Sequence, residues 1–175
     1  MKHPTITKMS HILINELVND AMIGVDMTVG NGNDIVFLCE RCKFVYGFDI
    51  QPQAIEITTN RLKSFTNYKL INDNHVNIAN YISEPIDFAI YNLGYLPNQD
   101  KAITTRAETT LQSLKNVLEM LSENGWVCIC FYPGHKEGKK EMISVLDYLE
   151  NEDYLLSTYQ TKVDNSPVLY LVSRK

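Results

Sequence analysis

No apolar run in these 175 residues reaches the ~18–20 that a membrane span needs, so no bilayer segment is expected. The first ten residues carry Lys2 and Lys8 but lack an apolar stretch with a small-residue cleavage site; a secretion signal is not expected, and a cytoplasmic location is. Cysteine is scarce. Four thiols, Cys39, Cys42, Cys128 and Cys130, are too few to staple a chain of this length. A structural zinc would need all four. Yet Cys128 and Cys130 alternate along the apolar stretch Trp126–Phe131 and so share one face of a sheet interior, on a strand that does not neighbour the Cys39-Glu-Arg-Cys42 region. Buried, inert thiols and no metal site are the expectation. Excess positive charge is also missing. Sixteen Lys and Arg against 21 Asp and Glu leave −5, which excludes indiscriminate nucleic-acid binding over the whole surface. Local basic patches remain open: Lys136, Lys139 and Lys140 cluster after one strand, and Lys101 and Arg106 follow another.

What is present is ordinary for a globular chain, with 45% apolar and 21% charged residues, and the length favours one domain over residues 1–175. Apolar periodicity alternates between strand and helix. An opening helix is expected from Ser10 as N-cap. Strands are expected at Ala21–Met27, Lys43–Asp49, Tyr68–Asn72, Ile86–Asn92 and Trp126–Phe131. Between them fall helices at Asp34–Cys39, Pro52 to about Ser64, His75–Tyr81 and Thr104–Leu121, and a further helix follows at Lys139–Glu150. Tyr154–Tyr159 and Val168–Val172, joined through Asn165-Ser166-Pro167, suit an antiparallel hairpin. Strands separated by helices imply a mostly parallel seven-stranded α/β sheet covered on both faces.

In such a sheet, ligands bind beyond the C-terminal strand ends, where strand order reverses. The first strand runs into Thr28-Val-Gly-Asn-Gly-Asn33, in which Gly30 and Gly32 let a ligand approach the backbone. The Asn31 and Asn33 amides can bond both an ammonium and a carboxylate, and Asp26 can accept from an ammonium. A dinucleotide cradle would require G-x-G-x-x-G, but Ile35 holds the place of the third glycine. Asp49, ending the second strand, suits a pair of ribose hydroxyls, or else caps the helix at Pro52. Asn72-Asp-Asn-His75 after the third strand could read an adenine edge or form a solvated turn. After the fourth, Asn92, the Leu93 carbonyl and Tyr95 can orient an amine nucleophile toward a sulfonium methyl and stack on a target base; a functionless Gly- and Pro-containing loop is the bland alternative.

Four stretches, Asp26-Met-Thr-Val-Gly-Asn-Gly-Asn-Asp34, Gly47-Phe-Asp-Ile-Gln51, Asp73-Asn-His75 and Asn92-Leu-Gly-Tyr-Leu-Pro97, resemble the rRNA methylase family of class I methyltransferases, which includes the MnmM-type tRNA enzymes. The resemblance spans nearly the whole chain. It implies a Rossmann-like class I methyltransferase fold and S-adenosyl-L-methionine as cofactor. It also implies methylation of the aminomethyl group of 5-aminomethyl-2-thiouridine at the tRNA wobble position. Carried over by position, Asn31, Asn33, Asp49, Gln51, Asn74 and His75 would hold the cofactor. The sequence departs from the family pattern after Pro97 and after His135.

An anticodon stem-loop is the expected partner, and a homodimer is compatible with the sequence. Lys101, Arg106, His135, Lys136, Lys139 and Lys140 are the expected RNA-facing residues, since both loops follow strands that end on the ligand side. His135 is also a candidate proton acceptor for the amine, against which stands a role in the structure of its loop. The competing readings are methylation of rRNA or of a small-molecule amine, a nicotinamide-dependent oxidoreductase, and a non-catalytic cofactor-binding domain.

Overall fold

The computed structural model describes residues 5–17, 23–93 and 107–175. Strands β1 (Ile23–Asp26), β2 (Phe44–Phe48), β3 (Tyr68–Ile71), β4 (Ile86–Asn92), β5 (Leu121–Phe131), β6 (Tyr154–Gln160) and β7 (Val168–Arg174) form one sheet in the order β3-β2-β1-β4-β5-β7-β6. Pairs among β1 to β5 are parallel; β7 runs antiparallel between β5 and β6. The order reverses at β1, which lies between β2 and β4, the place where open α/β sheets take their ligands.

Alternation along the strands sorts the core onto the two faces. Phe88, Ile90, Cys128 and Cys130 turn toward α1 (Ile6–Leu17), α2 (Asn33–Cys39) and α3 (Pro52–Arg61), packing with Ile14, Leu38 and the adjoining Leu62. Ala89, Tyr91, Val127 and Ile129 turn the other way, toward the 3-10 helix His75–Asn80, α4 (Ala107–Met120) and α5 (Lys136–Asn151), packing with Ile78, Leu114 and Val145. All four cysteines are buried thiols in the first of these layers. Burial pushes Cys39 up to about 12 and Cys42 up to about 11, so neither offers a thiolate near neutral pH. Among the described residues, no helix is long and apolar enough to cross a membrane.

Three boundaries differ from expectation for local reasons. Ser10 does not cap α1: the helix begins at Ile6, Thr5 Oγ1 accepts the Lys8 N–H (3.3 Å), and Ser10 lies buried inside, its hydroxyl donating to the Thr7 carbonyl (2.7 Å). β5 starts at Leu121 rather than Trp126, because Leu121 already pairs with Ile86 before a shift in register brings Trp126 opposite Phe88. α5 starts at Lys136, since the His135 side chain serves as N-cap, Nδ1 accepting the Gly138 N–H at 3.1 Å.

Candidate functional site

The site begins where β1 stops being a strand. Met27 N–H still donates to Ile90 O and Val29 N–H to Phe48 O, and then the chain turns through Gly30 (φ 51) and Gly32 (φ 76). Both lie in the left-handed region that favours glycine. A Cβ on Gly32 would sit 2.7 Å from Thr58 Oγ1, so α3 packs directly against the turn. Thr58 donates to Gly30 O (3.3 Å), while Arg61 donates to the Asn31 carbonyl and to Asn33 Oδ1 (2.8 Å). Asn31 is half-buried; Asn33 is exposed at the first position of α2, with its amide NH₂ not used by Arg61.

Three carboxylates gather around this turn. Asp26 is fully buried; its Oδ1 accepts the Thr28 N–H (3.1 Å) and its Oδ2 has no hydrogen-bond partner. Burial, and then the charge of Asp34, push its carboxyl well above the usual carboxylate range. Asp49, half-buried at the end of β2, accepts Gly30 N–H on Oδ2 (2.8 Å) and Gln51 N–H on Oδ1 (2.9 Å). Burial raises its pKa against those two bonds and a weaker one from the Ile50 N–H. The carboxylate keeps acceptor capacity for a further donor. Asp34, in the first turn of α2, is the third; it is buried.

At the end of β3, Asn74 caps the 3-10 helix, its Oδ1 accepting the Val76 N–H at 3.0 Å. His75 is buried edge-on to the Tyr91 ring, and its Nδ1 has no hydrogen-bond partner. A solvated turn therefore does not describe His75. Burial lowers its pKa from 6.5 to about 4. A histidine depressed in the fold contributes stability that is complete above the unfolded value, near 6.5, and is lost as pH falls toward 4. Urea unfolding at pH 7 and pH 4.5 should therefore show an acid loss in the parent that exceeds the loss in His75→Gln by on the order of 3 kcal/mol. Equal losses in the two proteins would mean that His75 titrates normally in the fold.

Asn92 ends β4 beside the turn. Its backbone N–H donates to Thr28 Oγ1 (2.8 Å) and its Nδ2 donates to Asp34 Oδ2 (3.2 Å). The other Asp34 oxygen, Oδ1, lies 2.6 Å from His11 Nε2 on α1. Tyr132, just after β5, makes side-chain hydrogen bonds to Thr7 and Asn92, and burial pushes its phenol up to about 12. The structure thus brings Asp26, Gly30, Asn31, Asp49, Gln51 and Asn92 to one crevice between the ends of β1, β2 and β4, with Asn74 and His75 after β3. Lys136, Lys139 and Lys140 are exposed along the first turns of α5, behind the capping His135. Tyr95, Lys101 and Arg106 lie outside the described residues. Sequence reasoning missed His11, Thr28, Asp34, Thr58 and Arg61; only Asp34, ending the D-x-T-x-G-N-G-N-D stretch, carried a local signal.

Known proteins of similar sequence and shape give this geometry a context. The family model described as "Putative rRNA methylase" matches residues 45–173. The chain is 30% identical over 152 residues to a curated protein of Arabidopsis thaliana named "tRNA (mnm(5)s(2)U34)-methyltransferase, chloroplastic". That match covers 78% of this chain and 56% of the relative, so the chain spans little more than half of that protein's length. Among solved structures, a "putative rRNA-methylase" from Clostridium thermocellum superposes with a TM-score of 0.94 at 33% identity, covering 100% of both chains. SMU.1697c from Streptococcus mutans, a "putative methyltransferase" solved in complex with SAH, reaches 0.88 at 36% identity over 98% of each chain. An rRNA methylase from Streptococcus thermophilus reaches 0.83 at 32% identity over 99% of each chain.

Proposed function

Because the chain belongs to the "Putative rRNA methylase" family and has the Rossmann-like fold of class I methyltransferases, we propose that it is an S-adenosylmethionine-dependent N-methyltransferase acting on a tRNA wobble uridine. The target is the primary amine of 5-aminomethyl-2-thiouridine, and the product carries a methylaminomethyl group. The observation that carries this reading is the Asn92 amide at the end of β4, held with its nitrogen on Asp34, together with the unpartnered, buried Oδ2 of Asp26 at the end of the neighbouring β1. An amide oxygen there accepts N–H from an amine. A buried carboxylate there favours a cationic neighbour.

The residues fit the cofactor. An ammonium and a sulfonium both suit the negative ground of Asp26, Asp34 and Asp49. The remaining lone pairs of Asp49 suit ribose hydroxyls, and the Asn31 and Asn33 amides suit the amino-acid end. Gln51, Asn74 and the enclosed His75 would line the path to the base. When bound, S-adenosylmethionine supplies an electrophilic methyl on sulfur. A dinucleotide fits less well: its pyrophosphate would meet three carboxylates, and Ile35 fills the place of the third glycine.

For the amine, Asn92 Oδ1 accepts an N–H and aims the nitrogen lone pair. Tyr95 is proposed to stack on the base. Lys136, Lys139 and Lys140 are proposed to hold phosphates of the anticodon stem-loop, together with Lys101 and Arg106. Two measurements test the proposal together. Mass spectrometry of tRNA incubated with the protein and cofactor should show one added methyl on the aminomethyl wobble nucleoside. The variant Lys136→Gln/Lys139→Gln/Lys140→Gln should weaken RNA binding across sequences and reduce the slope of log affinity against log salt by about 2. Methylation of a free alkylamine with tRNA left untouched would favour the small-molecule reading. An unchanged salt slope would move the RNA to another surface, with the segment that carries Lys8 at the start of α1 the next to test.

A further inference from the structure

Asp34 is a buried carboxylate whose two oxygens are both bonded outside its own helix. The α2 N-cap is Gly32, with no side-chain capping bond, and both Asp34 oxygens are bonded far along the chain, to His11 and to Asn92. The Asn92 atom that meets Asp34 is Nδ2, so the NH₂ edge of the amide faces the carboxyl group. The Asn92 oxygen is then turned the opposite way. His11 closes the other side: its ring stacks on Phe37 with centroids 4.1 Å apart and planes 9° from parallel, so it meets Asp34 from a fixed direction. The Asn92 main chain is tied as well, through Thr28 Oγ1, and Thr28 N–H in turn reaches Asp26. Nothing in the helical or strand periodicity requires this chain of contacts.

Building on the methyltransferase reading, we propose that His11 and Asp34 are positioning residues that fix the Asn92 amide with its oxygen presented to the incoming amine. Without the pair, the amide keeps only its Tyr132 contact, and once turned over it offers its NH₂ to the amine, which repels the hydrogens it should hold. Misplacing an orienting group by an ångström or a half-turn costs on the order of 10²-fold in rate.

Three substitutions test it. His11→Phe keeps the stack on Phe37 but has no donor, whereas His11→Gln puts an amide N–H near the place of Nε2. With the parent methylating its RNA, His11→Phe should lower kcat by about tenfold to a hundredfold. KM for RNA and affinity for S-adenosylhomocysteine should stay within about twofold, and His11→Gln should recover most of the rate. In the Asn92→Ala background, His11→Phe should cost nothing further, since both act through one amide. An unchanged kcat in His11→Phe, or additive losses in the double variant, would overturn the proposal. A second readout needs no activity and so separates this inference from the functional reading. In the cofactor-free protein, the Asn92 side-chain NH₂ resonances should shift in His11→Phe, where Asp34 has lost the contact that orients it, and hold in His11→Gln. Resonances that ignore both substitutions would show that His11 does not govern the amide.

Discussion

Asn92→Ala is expected to cut single-turnover methylation by on the order of 10²–10³-fold while leaving the affinity for S-adenosylhomocysteine within about twofold. The target is a primary alkylamine, largely protonated in neutral water, and in that form it has no lone pair to give. It must enter the pocket neutral or lose its proton there. Asn92 cannot take the proton. Its amide oxygen can accept an N–H only when turned away from Asp34, which is the orientation that the Nδ2–Asp34 Oδ2 bond requires. Alanine removes that acceptor and leaves Asp34 with His11 alone. The cofactor-side groups, Asp26, Asp49 and the glycine turn, are untouched, so binding should survive where turnover does not. The rate of the parent should rise with pH across the neutral range as the neutral amine becomes more abundant. Quench-flow with labelled cofactor measures the turnover, and calorimetry the affinity; near-normal turnover in Asn92→Ala would remove the orienting role.

Asp49→Ala should weaken S-adenosylhomocysteine binding by about 3–6 kcal/mol, a factor of roughly 10²–10⁴. Two losses combine. The ribose hydroxyls lose a charged acceptor, and Gly30 N–H, at the left-handed start of the turn, loses the partner that holds it 2.8 Å from Oδ2. The second loss also touches folding, because Gln51 N–H at the head of α3 is orphaned in the same step. Those N–H groups face the ligand side and water can reach them, so urea unfolding should register only about 1–2 kcal/mol. A stability loss as large as the binding loss would make Asp49 a structural residue. Unchanged affinity by calorimetry would remove it from the ribose site.

Much of the scaffold was legible because local pattern and tertiary role agree. The alternating run Ile86–Asn92 is a strand in both readings, and its two faces feed two different core layers. Alternation of strands and helices announced a mostly parallel sheet and a closing hairpin, whereas the order of the strands, with its reversal at β1, came from the structure. Ends of elements were legible only where the residue chemistry at the boundary was conventional. Ser10 looked like a cap, but Thr5 had already taken the free N–H. His135 did not look like one, yet caps α5. Leu121 was assigned to a helix because the residues after it carry no strand pattern before the register shift near Gly125. In the site, the strand-end residues could be named one by one. Their couplings could not: His11 meets Asp34 across 23 positions, and Asn92 meets it across 58, and no spacing rule spans such gaps.

Asp26, with Asp34 and Asp49 nearby, is costly to ionise until a partner of opposite charge arrives. Asp26 is held in a fully buried place where Asp34 and Asp49 both oppose its ionisation. A fold that accepts this trades part of its own resilience for readiness to bind. Ligand occupancy then becomes a determinant of survival as well as of rate. At a hundred times its dissociation constant a ligand adds ~2.7 kcal/mol against unfolding, enough to change the unfolded fraction about a hundredfold. A cell short of methyl donor would hold less of this protein, not merely a slower one, because unliganded copies would open more often and meet proteases sooner.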